Sequence, residues 1–576
     1  MRGIGAMGGI GRTGYSAARR LAWLGLCGGS LWGCSGESDS QKVLGPDQDT
    51  AQAAFFSATR RVEVEIELAP ADWDVLREQG RALTSFLELN EPYEYTYFDA
   101  TVRVDGERYE HVQLRKKGFL GSLSALRPSL KLDLDRVVEG QNHVGLHSLT
   151  LNNDRQDPSH THQCLAYGMF SDAGLPASRC NLAHVVVNGE DLGTYSNVES
   201  ISKQFLKRHF KSAEGNLYEG QAADFDAVRV EQLQLKTNEM SNDRSDARAL
   251  ASALEAPDEQ AVSTIGKQLD LGKFRDFWAM ETLLGHWDSY SGNANNYFVY
   301  RDPASQRFVF LPWGVDAAFE GLNPFDPLNQ NIAVYAAGRV ANRLYHLPQE
   351  REKYRARLGE LNESVWDVDR LLKQIDRIAA LAPDADPKQL ERQREHVRNH
   401  PGLLRAALQQ PAPEWQENTT AFTSPCLGML TDMSGSIDTS FGSLQEPLPG
   451  ANQLSLNLDG KLVELSWVAR AGLDESGDGV PRIRYMGMLE DQRLVVVEIS
   501  MPPGRFSPGH HLFHGIETSG SVLVLGQNTF TLVGLIGDGA VDLEEAGTEM
   551  DAPVRGSFAG HVLQFSCAEL EGTAGE

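Results

Sequence analysis

Positive charge is scarce in this chain. Lys and Arg total 53 against 79 Asp and Glu, a formal net charge of −26 at pH 7. That balance argues against a surface for nucleic acid or anionic lipid, so any bound polyphosphate needs a local basic patch. Long hydrophobic runs are missing as well. The most apolar stretch, LAWLGLCGGSLW at 21–32, is too short to cross a membrane as a mature helix. Cysteine is limited to six residues. What is present describes ordinary folded protein: 41% hydrophobic and 23% charged residues over 576 positions, too many for one core, so two or more domains are expected.

The first segment is read as an address rather than as fold. Arg2, Arg12, Arg19 and Arg20 form a basic start with no acidic residue, the apolar stretch follows, and Leu31-Trp32-Gly33-Cys34 resembles a bacterial lipobox. The expectation is a signal peptide at 1–33, lipid attachment at Cys34, and a polar tether at 34–58. Export permits disulfides, and Cys164–Cys180 and Cys426–Cys567 each lie within one expected domain.

The chain's chemistry concentrates in 285–320, GHWDSYSGNANNYFVYRDPASQRFVFLPWGVDAAFE. This reads as a helix end, a polar loop, a two-strand hairpin and a Trp-Gly-Val-Asp turn. The hairpin can bring Asp288, the amides of Asn293, Asn295 and Asn296, and Asp316 to one point. Hard oxygen ligands of this kind suit Mg²⁺ or Mn²⁺ held against phosphates. Protein kinases combine a loop Asp, an Asn a few residues on, and a metal-binding Asp after a strand pair. Asp and Asn are also ordinary turn residues, so the grouping carries the reading rather than any one position.

Upstream, Asp105-Gly106 and Asn188-Gly189 mark hairpin turns, and Asp72 is a candidate helix cap. Arg115, Lys116, Lys117, Arg127 and Lys131 form the most basic local stretch. In SLKLDLD, Lys131 alternates with leucines and so faces away from them. A strand Lys after the loop that begins at Gly118 is where kinases hold nucleotide phosphates, and Glu199, at the end of the second hairpin, is a candidate partner for it. Residues 340–410 have helical spacing throughout. After a linker at 411–425, short β-runs between Gly, Asp and Pro turns predict a sandwich-like all-β domain at 426–576. The DxSxS at 432–436 lacks the alternating strands and helices of a metal-adhesion fold, and LDESGDG at 473–479 lacks EF-hand spacing.

Five stretches occur in one order: the Gly/Ser loop with SLKLDLD, then LTLNNDRQDPSHTHQCLAYGMF, VVVNGEDLGTYSNVES, WDSYSGNANNYFVY and FLPWGVDAAF. Over about 60–400 the chain thereby resembles the CotH family of spore-coat-type atypical protein kinases. The resemblance implies an α+β chain with a divergent kinase-like domain at 59–410, using ATP and Mg²⁺ or Mn²⁺ to phosphorylate Ser or Thr of envelope or surface proteins. It implies Lys131, with Arg115 and Gly118, on the nucleotide and Glu199 as the partner of Lys131. It also implies Asp288 as the catalytic carboxylate, and Asp316 with Asn296 or Asn295 on the metal. Asn153 and Asp157 fall in a family-like motif without an assigned role. The family often reads Trp-Asp-x-Asp where this chain has Gly314, which removes one carboxylate. The alternative expectation is therefore a non-catalytic surface lipoprotein that uses a degenerate kinase-like domain as a binding module.

Overall fold

The structure, a computed structural model, describes residues 46–80, 95–119, 122–321, 323, 326, 329–415, 428–444, 452–473, 479–513, 518–526 and 530–565. Cys34, Cys426 and Cys567, and most of the acidic run at 473–479, lie outside these residues. No described helix is long and apolar enough to cross a membrane. The expected tether is ordered at its end. Pro46–Phe55 is a helix, and Phe55 and Phe56 are buried in the first barrel's core, because two adjacent aromatics are costly to leave in water.

Strands β1 (Arg61–Glu67), β2 (Phe98–Val104), β3 (Glu107–Lys117), β4 (Ser129–Asp133), β5 (Ser148–Asn152), β6 (Cys180–Val187) and β7 (Glu190–Val198) close into a barrel in the order β1-β2-β3-β4-β5-β7-β6. All its pairings are antiparallel except that of β1 with β6, which closes it. Alternation sends Leu114, Leu130, Leu132, Leu149 and Leu151 inward, each at most 1% exposed. The opposite face carries Arg115, Lys117, Lys131, Thr150 and Asn152. Between β1 and β2, Pro70–Glu78 is helical. Its cap is Ala69 with Pro70 opening the first turn, so Asp72 sits inside that turn rather than capping it.

A second sheet has the order β11-β10-β8-β9, from β8 (Leu217–Gly220), β9 (Gln234–Leu235), β10 (Tyr297–Asp302) and β11 (Arg307–Pro312). Helices Ser245–Leu254, Asp258–Gln268, Leu271–Leu283, Arg339–Tyr345, Pro348–Ser364, Val368–Leu381 and Pro387–Leu408 build one core with it. Phe310 anchors an aromatic cluster, with Tyr290 and Phe274 at 4.7 and 5.0 Å between ring centres. Helix His162–Asp172 joins this core to the barrel, and the Cys164–Cys180 disulfide ties its first turn to β6.

The C-terminal strands were expected to form a sandwich and form a closed barrel instead. Leu430–Ser443 pairs with Val468–Leu473 on one side and Pro553–Gln564 on the other. The ring is completed through Pro481–Met488, Leu494–Ser500, Ser519–Leu525 and Phe530–Glu545. Closure needs bent strands. Phe530–Glu545 shifts register between Gly537 and Ala540 and again between Leu543 and Glu545. A side chain at Gly539 would lie 2.0 Å from the Ala559 carbonyl. The DxSxS residues lie within strand Leu430–Ser443.

Candidate active site

Two elements deliver the acidic half of the site. After helix Leu271–Leu283, the chain turns through a loop fixed by Glu281, whose carboxylate accepts from the amides of Tyr290 (3.2 Å) and Ser291 (2.9 Å). Burial pushes the Glu281 carboxyl up to about 8. Ser289 caps the short turn that follows, accepting from Gly292 N at 3.1 Å. Asp288 points into the fork of this loop. Its Oδ1 accepts from Asn293 Nδ2 (2.9 Å) and Asn295 Nδ2 (3.1 Å), and its Oδ2 accepts from Asn296 Nδ2 (2.7 Å). The half-buried Asp288 carboxyl is raised to about 6, because loss of water outweighs the three amide donors.

The hairpin of β10 and β11 pairs Tyr297 with Pro312, and so sets Asn296 beside the turn that carries Asp316. Gly314 has φ +54°, and a side chain there would lie 2.8 Å from Asn296 Oδ1. Gly314 is therefore more than a missing carboxylate: the Asn296 amide occupies the space. The two candidate amides also differ. Asn295 Oδ1 accepts from Ala222 N (3.1 Å), whereas Asn296 Oδ1 packs over Gly314. Asn293, closer to the loop's start, keeps a buried Oδ1 with no hydrogen-bond donor.

The basic half comes from the barrel's outer face. Arg115, Lys131 and Thr150 are cross-strand neighbours. Lys131 Nζ donates to Thr150 Oγ1 (3.1 Å) and Ser200 Oγ (2.5 Å). Burial, then the charges of Arg115 and Lys117, lower its ammonium to about 7. Glu199 does not partner Lys131 as expected. It is held between Arg179 and Arg208, because it directly follows β7 and Arg208 reaches it from the helix Lys203–His209. The lysine whose charge acts on Asp316 is Lys117, which donates to Asn152 Oδ1. Burial lowers Lys117 and raises Asp316, and each charge opposes the other's shift. Asp288 and Glu320 raise Asp316 further.

Gly118 follows Lys117 at φ +104° and opens the loop, whose other end is tied down by Asn153. Asn153 Nδ2 donates to the carbonyls of Ser122 (2.9 Å) and Arg127 (2.6 Å). Asp157 accepts from His162 N (2.7 Å) at the start of the helix His162–Asp172. His162 Nδ1 then reaches the Asp316 carbonyl at 2.9 Å. Asn153 and Asp157 thus brace the loop and the Asp316 turn from behind. Lys117, Glu281, Glu320 and His162 were missed by sequence reading. Lys117 stood in the basic stretch, but only the barrel's register separates its role from that of Lys116, which is buried and donates to the Arg77 carbonyl (2.6 Å).

Among the described residues, no group of three or more His, Cys, Asp or Glu converges to hold a metal alone. Two mutually repelling carboxylates, with an amide oxygen free of donors, fit a cation whose remaining ligands are phosphate oxygens and water.

Comparison with known proteins gives the same direction. Inner spore coat protein H of Bacillus subtilis is 24% identical over 244 residues, which are 40% of this chain and 66% of that protein. Spore coat protein homolog 1 of Rhizopus delemar is 24% identical over 204 residues, 32% of each chain. Invasin CotH3 of the same fungus is 23% identical over 206 residues, 32% of this chain and 34% of that one. The chain thus spans just under two thirds of the bacterial relative and about a third of the fungal ones. A crystal structure of the Helicobacter pylori proinflammatory kinase CtkA aligns over 59% of this chain and 94% of that chain, at 9% identity and a TM-score of 0.25. The family model described as CotH kinase protein matches residues 114–410. That match takes in both halves of the site and more than half of the chain, and the chain belongs to the CotH family.

Proposed function

We propose that the chain transfers the γ-phosphoryl group of ATP to a Ser or Thr hydroxyl of envelope or surface proteins. The observation that carries this is the charge interaction of half-buried Asp316 both with Asp288 and with Lys117, which shares the barrel's outer face with Arg115 and Lys131. Phosphoryl transfer asks mainly for positioning and charge neutralisation, and this arrangement provides both. Asp288 takes the hydroxyl proton as the oxygen attacks the γ-phosphorus and the bond to the bridging oxygen breaks, releasing ADP. Lys117, Lys131 and Arg115 hold the phosphates. Asp316 and Asn296 would hold Mg²⁺ or Mn²⁺, which when bound neutralises charge on the transferring group. The Cys164–Cys180 disulfide supports an oxidising, exported location. Lipid attachment at Cys34 remains part of the proposal on the strength of its lipobox-like sequence.

One observation favours the second reading, a non-catalytic surface lipoprotein whose degenerate kinase-like domain is a structural or binding module: Asn296 fills the space where the family often has a carboxylate. The test is autophosphorylation of the soluble protein with γ-labelled ATP and Mg²⁺ or Mn²⁺, beside Asp288→Ala and Asp316→Ala. Label on wild type alone supports the kinase. Equal label on all three overturns the site. No label, together with no Mg²⁺-ATP shift in melting temperature, moves the reading to the binding module.

A further inference from the structure

A cavity of about 240 Å³ lies between the barrel and the helices, and none of Asp288, Asp316, Lys117 and Lys131 lines it. Its walls come from helix His162–Asp172, the start of β6, helix Lys203–His209 and helix Val368–Leu381. Its chemistry is lopsided. Three guanidiniums line it, from Arg179, Arg208 and Arg377. Glu199, 3% exposed, is shared by the first two, and Arg179 also meets the exposed Asp49 at 3.4 Å. Arg377 makes no ion pair or hydrogen bond among the described residues, and its Nε is buried without an acceptor.

Two more orphans share these walls. Arg208 Nε and Ser178 Oγ are buried without partners, and Ser178 is only 4% exposed. Buried donors are normally satisfied, and each one left open costs free energy. Three such groups from three separate elements, around one cavity with surplus positive charge, amount to a built oxyanion site. The rest of the wall is apolar, with Leu182 and Ile378 among it. A group with three terminal oxygens and a charge near −2 matches three donors better than a planar carboxylate does.

We infer that this cavity binds a small phosphate monoester carrying an apolar body, at a site separate from the candidate active site. The test is calorimetric titration of the chain from Ser35 to its C-terminus, without the signal and Cys34, with phenyl phosphate, and with benzoate as the carboxylate control. Four proteins are compared: wild type, Arg377→Gln, Gly168→Leu and Asp316→Ala. Gly168 lines the cavity on a helix, and an added Cβ there meets nothing within 4 Å, so a leucine fills the space while favouring the helix. Saturable binding of phenyl phosphate is expected in wild type and in Asp316→Ala. It should weaken about tenfold or more in Arg377→Gln, the loss of one charge-assisted hydrogen bond, and vanish in Gly168→Leu. If Gly168→Leu fails to fold, Arg377→Gln decides. No binding to wild type overturns the proposal, as does binding that both cavity variants leave intact or that Asp316→Ala abolishes. Benzoate binding as tight as phenyl phosphate overturns the phosphate assignment.

Discussion

Asp288 gathers three amide donors and still has its carboxyl raised to about 6, while Lys131 on the barrel face is lowered to about 7. The pair of shifts has a measurable sign. A base must be deprotonated to accept a proton, so kcat/KM should fall by about tenfold per pH unit below roughly pH 6. A pH profile between 5 and 8 checks this, and a flat profile counts against Asp288 as the base. Gly314 gives a second residue-scale prediction. Gly314→Asp, which restores the family's usual carboxylate, should not raise activity. The left-handed backbone costs about 1–2 kcal/mol for a residue with a Cβ, and the new side chain drives Asn296 away from Asp288. Urea unfolding should show a loss of that order, with transfer activity lowered. Higher activity with unchanged stability would mean that the Asn296 placement is not limiting.

At the scale of elements, the helix His162–Asp172 does most to join the two halves. Asp157 starts it, His162 meets the Asp316 turn, and Cys164 fastens it to β6. The crosslink spans 16 residues of sequence, and a loop of that size contributes about 3 kcal/mol in the chain-entropy model. Cys164→Ser with Cys180→Ser should therefore lower the urea midpoint, and reductant should lower wild type but not the double variant. This pairing was legible in the sequence, as were the Asp105-Gly106 and Asn188-Gly189 hairpins and the inward leucines around Lys131. Those features are local or have period two. The partner of Glu199 was not legible, because it depends on which way the end of β7 faces, and Arg179 and Arg208 reach it from different elements. Nor was Lys117: three consecutive basic residues differ only by barrel register, which sends Lys116 to the Arg77 carbonyl and Lys117 toward Asp316. The C-terminal β-runs were legible as strands. Their closure was not, because turn signals look alike in a sandwich and a barrel, and ring closure rests on Leu430–Ser443 pairing on both of its edges.

On the scale of the whole molecule, the C-terminal barrel has an apolar core of its own, while Trp415 and Tyr345, whose hydroxyl donates to the Pro413 carbonyl at 2.6 Å, belong to the helical core. A chain ended after Trp415 should keep the fold and nucleotide response of the remainder, and one ended before Pro413 should melt lower. Circular dichroism melts of the two truncations check this, and equal melting would mean that residues 413–415 contribute nothing. The parallel pairing of β1 with β6 has a different kind of consequence. Strand β1 precedes its closing partner by more than a hundred residues, so a chain made or threaded from its N-terminus presents β1 long before anything can cover that edge. Until β6 and β7 arrive, the growing polypeptide carries two open sheet margins, the hazard that closure removes.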